Sequence, residues 1–117
     1  MITNLRKNKY KNKEIIIDGI KFQSIKEGKR YTELMILKKA GLIKELELQQ
    51  TFELQEAYTN NKGEKVRSIT YKADFIYFDK HLDRYIVEDV KGYKTDVYKL
   101  KKKLFEYQYP NLTIEEI

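Results

Sequence analysis

The chain has no cysteine, no tryptophan, one histidine and one proline among its 117 residues. The lack of cysteine excludes disulfide bonds, thiolate zinc sites and cysteine nucleophiles. The single histidine, His81, lies in a charged turn, so histidine-dependent nuclease sites and serine–histidine–acid triads are excluded. The five glycines are scattered and form no phosphate-binding loop. No apolar run could span a membrane and no signal peptide is present, which predicts a cytoplasmic protein without a membrane partner.

Positive charge is what the chain has in excess, a net +6 that is concentrated in two segments. Residues 1–13 hold five basic side chains and no acid, and residues 91–103 hold six lysines against Asp96. Local charge of this kind is typical of a surface that meets a polyanion, although a solvated lysine-rich surface has the same composition. We expect residues 1–13 to be a flexible basic arm and 14–117 to be a single domain.

Hydrophobic periodicity and turn residues predict a small α/β domain. Ser24, with Glu27 three residues later, has the pattern of a helix N-terminus, and Thr95 is the candidate N-cap of a second helix. Val97, Leu100, Leu104 and Tyr107 form one apolar face of that second helix. The predicted elements are, in order, a hairpin over 14–22, a helix over 24–40, one long strand with Leu46, Leu48, Phe52 and Leu54 on one face, strands over 67–78 and 84–91, a helix that ends at Pro110, and a strand over 112–117.

Asp74 and Asp89 stand in apolar, strand-like runs, where aspartate is rare because it is costly to bury. Alternation puts Asp89 and Lys91 on one face of their strand, with Asp74 on the adjacent strand. Two such carboxylates can converge on one Mg²⁺, which prefers oxygen ligands, and the carbonyl of Val90 can supply another. Lys91 can then orient the attacking water or stabilise charge on a phosphate. The alternative is a purely structural salt bridge from Asp74 to Lys72 or Lys91.

Two further acids have different interpretations. Glu27 either completes a capping box with Ser24 or, one turn before Tyr31 and on the face toward the sheet, serves as a metal or water ligand. Both interpretations of Glu27 stay open. Glu88 alternates with Asp89, so it should point to the opposite side of the sheet as a structural or solvent-facing acid.

Asp74, then Asp89-Val90-Lys91, preceded by a helix that carries Glu27, resembles the PD-(D/E)XK nuclease superfamily, which has the restriction-endonuclease-like fold. More narrowly, nearly the whole chain, from about residue 10 to its end, resembles a family of short basic phage proteins of unknown function that is placed in that superfamily. The stretches that carry the likeness are 18–24, 27–34, 69–79 and 87–105.

The resemblance implies a restriction-endonuclease-like core: a helix, a three-stranded antiparallel meander, a helix and a strand, in a mixed central sheet flanked by helices. It implies that Asp74 and Asp89 bind Mg²⁺ or Mn²⁺, that Lys91 is catalytic, and that Glu27 is the helix acid of many members. Ala73 stands where the superfamily's name has proline, a position that often varies. The implied activity is a metal-dependent phage endonuclease, in the host cytoplasm, acting on DNA in recombination, replication or packaging.

Branched DNA is the expected substrate, because so small a domain has no room for a separate sequence-reading module. Cutting a junction would require a homodimer, which places two sites on two strands. The alternatives are a catalytically inactive DNA-binding protein on a nuclease fold and a structural or inhibitory phage factor whose charge meets a protein partner. The choice between DNA and RNA stays open. The side chains expected to contact phosphates are Lys94, Lys99, Lys101, Lys102 and Lys103 near or in the second helix and Lys9, Lys11 and Lys13 in the arm.

Overall fold

The computed structural model describes residues 13–117, so the predictions for residues 1–12 of the arm, including Lys9 and Lys11, lie outside the described residues. Neither helix of the described range has the length and apolar composition that crossing a bilayer requires. The elements are β1 (Ile15–Ile17), β2 (Ile20–Phe22), α1 (Ile25–Lys39), β3 (Ile43–Leu48), β4 (Thr51–Gln55), β5 (Tyr58–Thr59), β6 (Lys65–Val66), β7 (Ile69–Lys72), β8 (Phe75–Asp79), β9 (Arg84–Asp89), α2 (Asp96–Gln108) and β10 (Ile114–Glu116).

A four-stranded sheet with the strand order β10-β9-β8-β3 forms the centre of the domain. β3 pairs with β8 and β8 pairs with β9 in antiparallel orientation, whereas β10 lies parallel to β9. Two-stranded sheets are formed by β1 with β2, β4 with β7 and β5 with β6. The predicted α/β class, with a mixed sheet and two helices, is therefore confirmed.

The central sheet buries both of its faces, and alternation along β8 and β9 divides the hydrophobic core in two. Phe75, Tyr77 and Ile86 pack with residues of α1 and of the β1–β2 hairpin. Val87 packs on the other side, with Phe105 of α2 and with residues of β4 and β7. Consecutive residues of β9 therefore enter different cores, and this applies also to the two acids at the end of that strand.

Two strands that the sequence predicts as single elements are each bent in the structure, so those predictions are wrong. The first is divided at Gln49, whose φ of 57° turns the chain between β3 and β4. The second, over 67–78, is divided at Ala73 and Asp74. Backbone bonds continue across the bend, from Ala73 N–H to the Gln50 carbonyl at 2.9 Å and from Gln49 N–H to the Asp74 carbonyl at 3.1 Å. In the second strand the hydrophobic alternation persists through the bend, which hides the bend in the sequence.

Both helices begin where the sequence predicts. The Ser24 hydroxyl accepts the Glu27 N–H at 3.1 Å, and the Thr95 hydroxyl accepts the Tyr98 N–H at 3.0 Å. Gly41, with a φ of 77°, follows the end of α1 and allows the chain to reverse without strain. These local signals need only a few neighbouring residues, which is why they can be read from the sequence.

Of the apolar face predicted for α2, only Leu104 packs against the core. Val97, Leu100 and Tyr107 are exposed, whereas Tyr98 and Phe105 are buried. The Phe105 ring makes edge contacts with aromatic rings of β4 and β7. Large rings bury more apolar area than the aliphatic side chains, and this decides which face of the helix meets the sheet.

Glu88 enters the core on the α1 side and is 1% exposed, so its structural interpretation is confirmed and the solvent-facing one is wrong. Its carboxylate accepts hydrogen bonds from Arg30, including one from Nε at 2.8 Å, and from the Tyr77 hydroxyl. Burial and the bond to Glu88 raise the pKa of Tyr77. Arg30 also binds Glu33 on the surface at 2.9 Å. Together these donors offset the desolvation of a fully buried charge.

The two partners of Arg30 give a matched test of this network. Glu88→Ala should destabilise the protein by about 3 kcal/mol, because it leaves Arg30 and Tyr77 without their buried acceptor. Glu33→Ala removes an exposed partner of the same arginine and should cost less than about 0.5 kcal/mol. Urea unfolding of both variants measures the difference, and equal losses would contradict the assignment.

Candidate active site

A cavity of about 540 Å³ opens at the bend of the strands, between the N-termini of α1 and α2. Its walls are mostly polar and include acids, amides and the loop that joins β9 to α2. This cavity brings together Glu27, Asp74, Val90 and Lys91 of the predicted site, whereas the buried Asp89 does not line it. The lining residues are Gln23, Ser24, Glu27, Gln49, Asp74, Val90, Lys91, Gly92, Tyr93 and Thr95.

Asp74 lies just before β8, at the bend. Its Oδ2 accepts the Val90 N–H at 2.7 Å, and its Oδ1 accepts the side-chain amide of Gln49 at 3.3 Å. Burial raises the pKa of Asp74 to about 7, and the negative charges of Asp89 and Glu27 add to this effect, whereas the Val90 N–H and the Lys91 ammonium oppose it. A carboxyl group with such a pKa lies in a concentration of negative charge that a cation would relieve.

Asp89 is the last residue of β9 and is 2% exposed. Its Oδ2 accepts a hydrogen bond from the Tyr71 hydroxyl, and burial together with this bond raises the pKa of Tyr71. Its buried Oδ1 accepts no hydrogen bond of good geometry, although Nζ of Lys91 lies 3.1 Å away. In the antiparallel pairing of β8 with β9, Phe75 lies opposite Glu88. Asp74 precedes Phe75 and Asp89 follows Glu88, so both aspartates come next at the same end of the ladder. The two aspartates are therefore neighbours at the end of the ladder.

Lys91 joins the buried aspartate to the cavity. Its ammonium pairs with Asp89 and lies 4.4 Å from the centre of the Tyr98 ring, while its side chain is 29% exposed. Its backbone carbonyl accepts a hydrogen bond from Nζ of Lys26 at 3.3 Å. The cavity thus contains one ammonium group that touches both protein and solvent.

Glu27 is 5% exposed and belongs to both the helix cap and the cavity. Its Oε1 accepts the N–H of Gln23 at 3.3 Å, one residue before the N-cap, rather than the N–H of Ser24 as in a regular capping box. Its Oε2 accepts the side-chain amide of Gln49 at 2.9 Å. The capping interpretation and the site interpretation of Glu27 are compatible in this geometry.

Gln49 is the site residue that the sequence analysis missed. A single Nε2 group donates to Glu27 at 2.9 Å and to Asp74 at 3.3 Å, linking the helix acid to the strand acid. Its positive φ is strained for glutamine and aims the side chain into the cavity. The available signal was Gln50, which interrupts the apolar series between Leu48 and Phe52 and so marks the bend.

The lysines predicted to bind phosphate are placed in different ways. Lys94 pairs with Glu116 at 2.9 Å, and Lys102 pairs with Glu106 at 3.0 Å. Each pairing reduces the positive charge that is available to a ligand. Lys13, Lys99 and Lys103 are exposed, and Lys101 is half-buried.

A divalent ion in this cavity would need several oxygen ligands close together. Within residues 13–117, no three histidine, cysteine, aspartate or glutamate side chains are close enough to hold a metal ion between them. Two carboxylates with hard oxygen atoms are present, and in the described part of the chain one buried oxygen of Asp89 has only the Lys91 ammonium as a charged partner. Mg²⁺ commonly takes one or two protein carboxylates and completes its shell with water. The residues present therefore fit a magnesium site of that kind.

The fold and cavity define an α/β protein with a carboxylate–lysine site at the end of a mixed sheet. Residues 7–117 match the model of the family described as "Protein of unknown function (DUF1064)", and the chain belongs to this family. No curated protein and no solved structure matches the chain.

The raised pKa of Asp74 makes a prediction about metal-free protein. The folded-state pKa of about 7 exceeds the ordinary aspartate pKa of 3.8, so the carboxyl group contributes stability below about pH 4 that is lost as the pH rises through 7. Asp74→Asn cannot ionise and should melt about 5 °C above the wild type at pH 8, with the difference shrinking toward pH 4. Thermal unfolding in EDTA measures this, with Asp83→Asn in an exposed turn as the control. A pH-independent shift would contradict the charge argument.

Proposed function

We propose that the protein is a Mg²⁺- or Mn²⁺-dependent endonuclease of the PD-(D/E)XK superfamily that cuts DNA. The observation that carries the proposal is the buried Asp89, which lies next to Asp74 and has one oxygen whose only charged partner among the described residues is the ammonium of Lys91. Buried acids are normally satisfied by hydrogen bonds, as Glu88 is on the opposite face of the same strand. A buried acid of this kind, next to the cavity-lining residues Asp74 and Lys91, points to a ligand.

The architecture supports the proposed superfamily. An antiparallel β3–β8–β9 meander, followed by a helix and a parallel β10, agrees with the order expected for a restriction-endonuclease-like core. The absence of the motif's proline also has a local explanation. The N–H of Ala73 donates to the Gln50 carbonyl at 2.9 Å, and proline would have no hydrogen to donate there.

Asp74 and Asp89, with the carbonyl of Val90, would hold the metal ion. When bound, the ion lowers the pKa of a coordinated water and neutralises negative charge on the phosphate. Tyr71 holds Asp89 in place through its second oxygen, and Gln49 orients Asp74. Lys91 donates hydrogen bonds toward a phosphate oxygen or the attacking water, since its ammonium faces both Asp89 and solvent.

We propose branched DNA as the substrate, bound by a homodimer. Lys26 lies beside the cavity, and the exposed Lys99 and Lys103 lie on α2. The sugar-phosphate backbone of DNA could therefore run along α2 toward the site. The acids in the cavity would repel DNA without a cation, and metal and DNA binding should therefore reinforce each other.

The second candidate is a DNA-binding protein that has kept the nuclease fold without catalysis. The Asp89–Lys91 ion pair favours it, because an ammonium at 3.1 Å already balances the buried charge. Under this proposal the two residues would be structural, and their substitution would change stability and binding rather than cleavage.

Cleavage of labelled linear, single-stranded and four-way DNA, with Mg²⁺ or EDTA, separates the candidates. The wild type should cut at least one substrate only with Mg²⁺. Asp89→Asn and Lys91→Ala should each lower the rate about 100-fold or more, because one loses a metal ligand and the other a charge donor. Asp83→Asn and Lys62→Ala, on exposed turns, are the matched controls.

Binding measured on the same DNA completes the test. Asp74→Asn should bind DNA at least as tightly as the wild type, because it removes a charge that repels phosphate. Salt-dependent binding with no cleavage of any substrate would favour the inactive DNA-binding protein. Equal cleavage by the wild type and the site variants would overturn the assignment of the site.

A further inference from the structure

We propose that Tyr98 is a positioning residue for Lys91, an inference that rests on the proposed nuclease function. The lysine ammonium lies over the ring of Tyr98, 4.4 Å from its centre, and also 3.1 Å from Oδ1 of Asp89. The face of an aromatic ring carries partial negative charge and attracts a cation. The ammonium is therefore held between a carboxylate and a ring, from two different elements of the fold.

The side chain of lysine needs such a support more than most groups do. Four methylene groups separate its ammonium from the backbone, and Lys91 lies beyond the end of β9 with 29% of its side chain exposed. The contact with Asp89 fixes only one distance, and the methylene groups of Lys91 can still rotate while that distance is kept. The ring of Tyr98 supplies a second contact and restricts the ammonium to one side of the carboxylate.

The ring of Tyr98 is itself held firmly. It is 6% exposed within the α2 core, and its backbone N–H donates to the Thr95 hydroxyl at 3.0 Å. Its hydroxyl donates to Oε2 of Glu116 on β10 at 2.8 Å, and Oε1 of Glu116 pairs with Lys94 at 2.9 Å. The chain of contacts runs from Lys94 through Glu116 and Tyr98 to Lys91, linking the final strand to the site.

This arrangement gives Lys94 and Glu116 a role that does not require contact with DNA. Lys94 balances Glu116, and Glu116 fixes the angle of the ring through the hydroxyl. β10 pairs with β9 at Glu116 and Asp89, so the same two strands carry the carboxylate and the anchor of the ring. Any displacement of β10 would then move both contacts of the ammonium together.

The test compares variants of Tyr98 in the full chain. Tyr98→Phe keeps the ring face and should retain kcat within about threefold, whereas Tyr98→Leu removes it and should lower kcat about tenfold with KM nearly unchanged. Tyr109→Leu is the matched control, because Tyr109 packs in the same core and its hydroxyl binds a backbone carbonyl of β4. It should lose stability without this loss of kcat.

A second readout does not depend on activity. Methylene protons of Lys91 near the Tyr98 ring should show an upfield ring-current shift by NMR, identified by its disappearance in Lys91→Ala. The shift should persist in Tyr98→Phe and vanish in Tyr98→Leu. If Tyr98→Leu does not fold, Tyr98→Met serves instead. It fills a similar volume without a ring face, so the shift should vanish and kcat should fall as for Tyr98→Leu.

The outcomes separate this inference from the proposed function. If the wild type cuts DNA and Tyr98→Leu retains full kcat, the inference is overturned and the nuclease assignment stands. If no substrate is cut, the proposed function fails and the catalytic role of Tyr98 fails with it, even where the ring-current shift is present. An absent shift in the wild type overturns the ring contact directly.

Discussion

The pairing of β8 with β9 is the constraint on which the rest of the structure depends. It brings Asp74, at the bend before one strand, next to Asp89, at the end of the other. The same ladder end places the Val90 N–H on Asp74 and the Lys91 ammonium on Asp89. Gln49 reaches this point because the bend between β3 and β4 lies opposite the bend between β7 and β8. A single pairing thus assembles the cavity from residues that span most of the described chain.

Two consecutive acids of β9 show how the same residue chemistry can serve different purposes. Glu88 is surrounded by donors from Arg30 and Tyr77, so its charge is fully balanced inside the α1 core. Asp89 faces the other core, where Tyr71 satisfies one oxygen and leaves the other beside Lys91. A buried carboxylate whose oxygens all accept hydrogen bonds fits a structural role, and one with an oxygen left without a hydrogen bond fits a binding role. Burial alone would not distinguish these residues, because both are almost completely inaccessible.

The sequence predicted what local chemistry determines and missed what tertiary packing determines. Helix starts at Ser24 and Thr95 and the alternation of Glu88 with Asp89 depend on near neighbours, and the structure has them as expected. The bend at Ala73 was missed because hydrophobic alternation continues across it, and the bend at Gln49 was missed because Gln50 is the only interruption of the apolar series there. The packed face of α2 was missed for another reason, since aromatic rings on β4 and β7 select Phe105 over the aliphatic stripe. Gln49 was missed as a site residue because its place in the cavity depends on a bend that the sequence did not predict.

The central claim is that Asp74 and Asp89 together hold one divalent cation. Anomalous diffraction at the manganese absorption edge, from crystals grown with Mn²⁺, tests it most directly. The account predicts one strong peak in contact with both carboxylates. Manganese bound only elsewhere, or an intact Asp89–Lys91 pair with no peak beside it, would contradict the account.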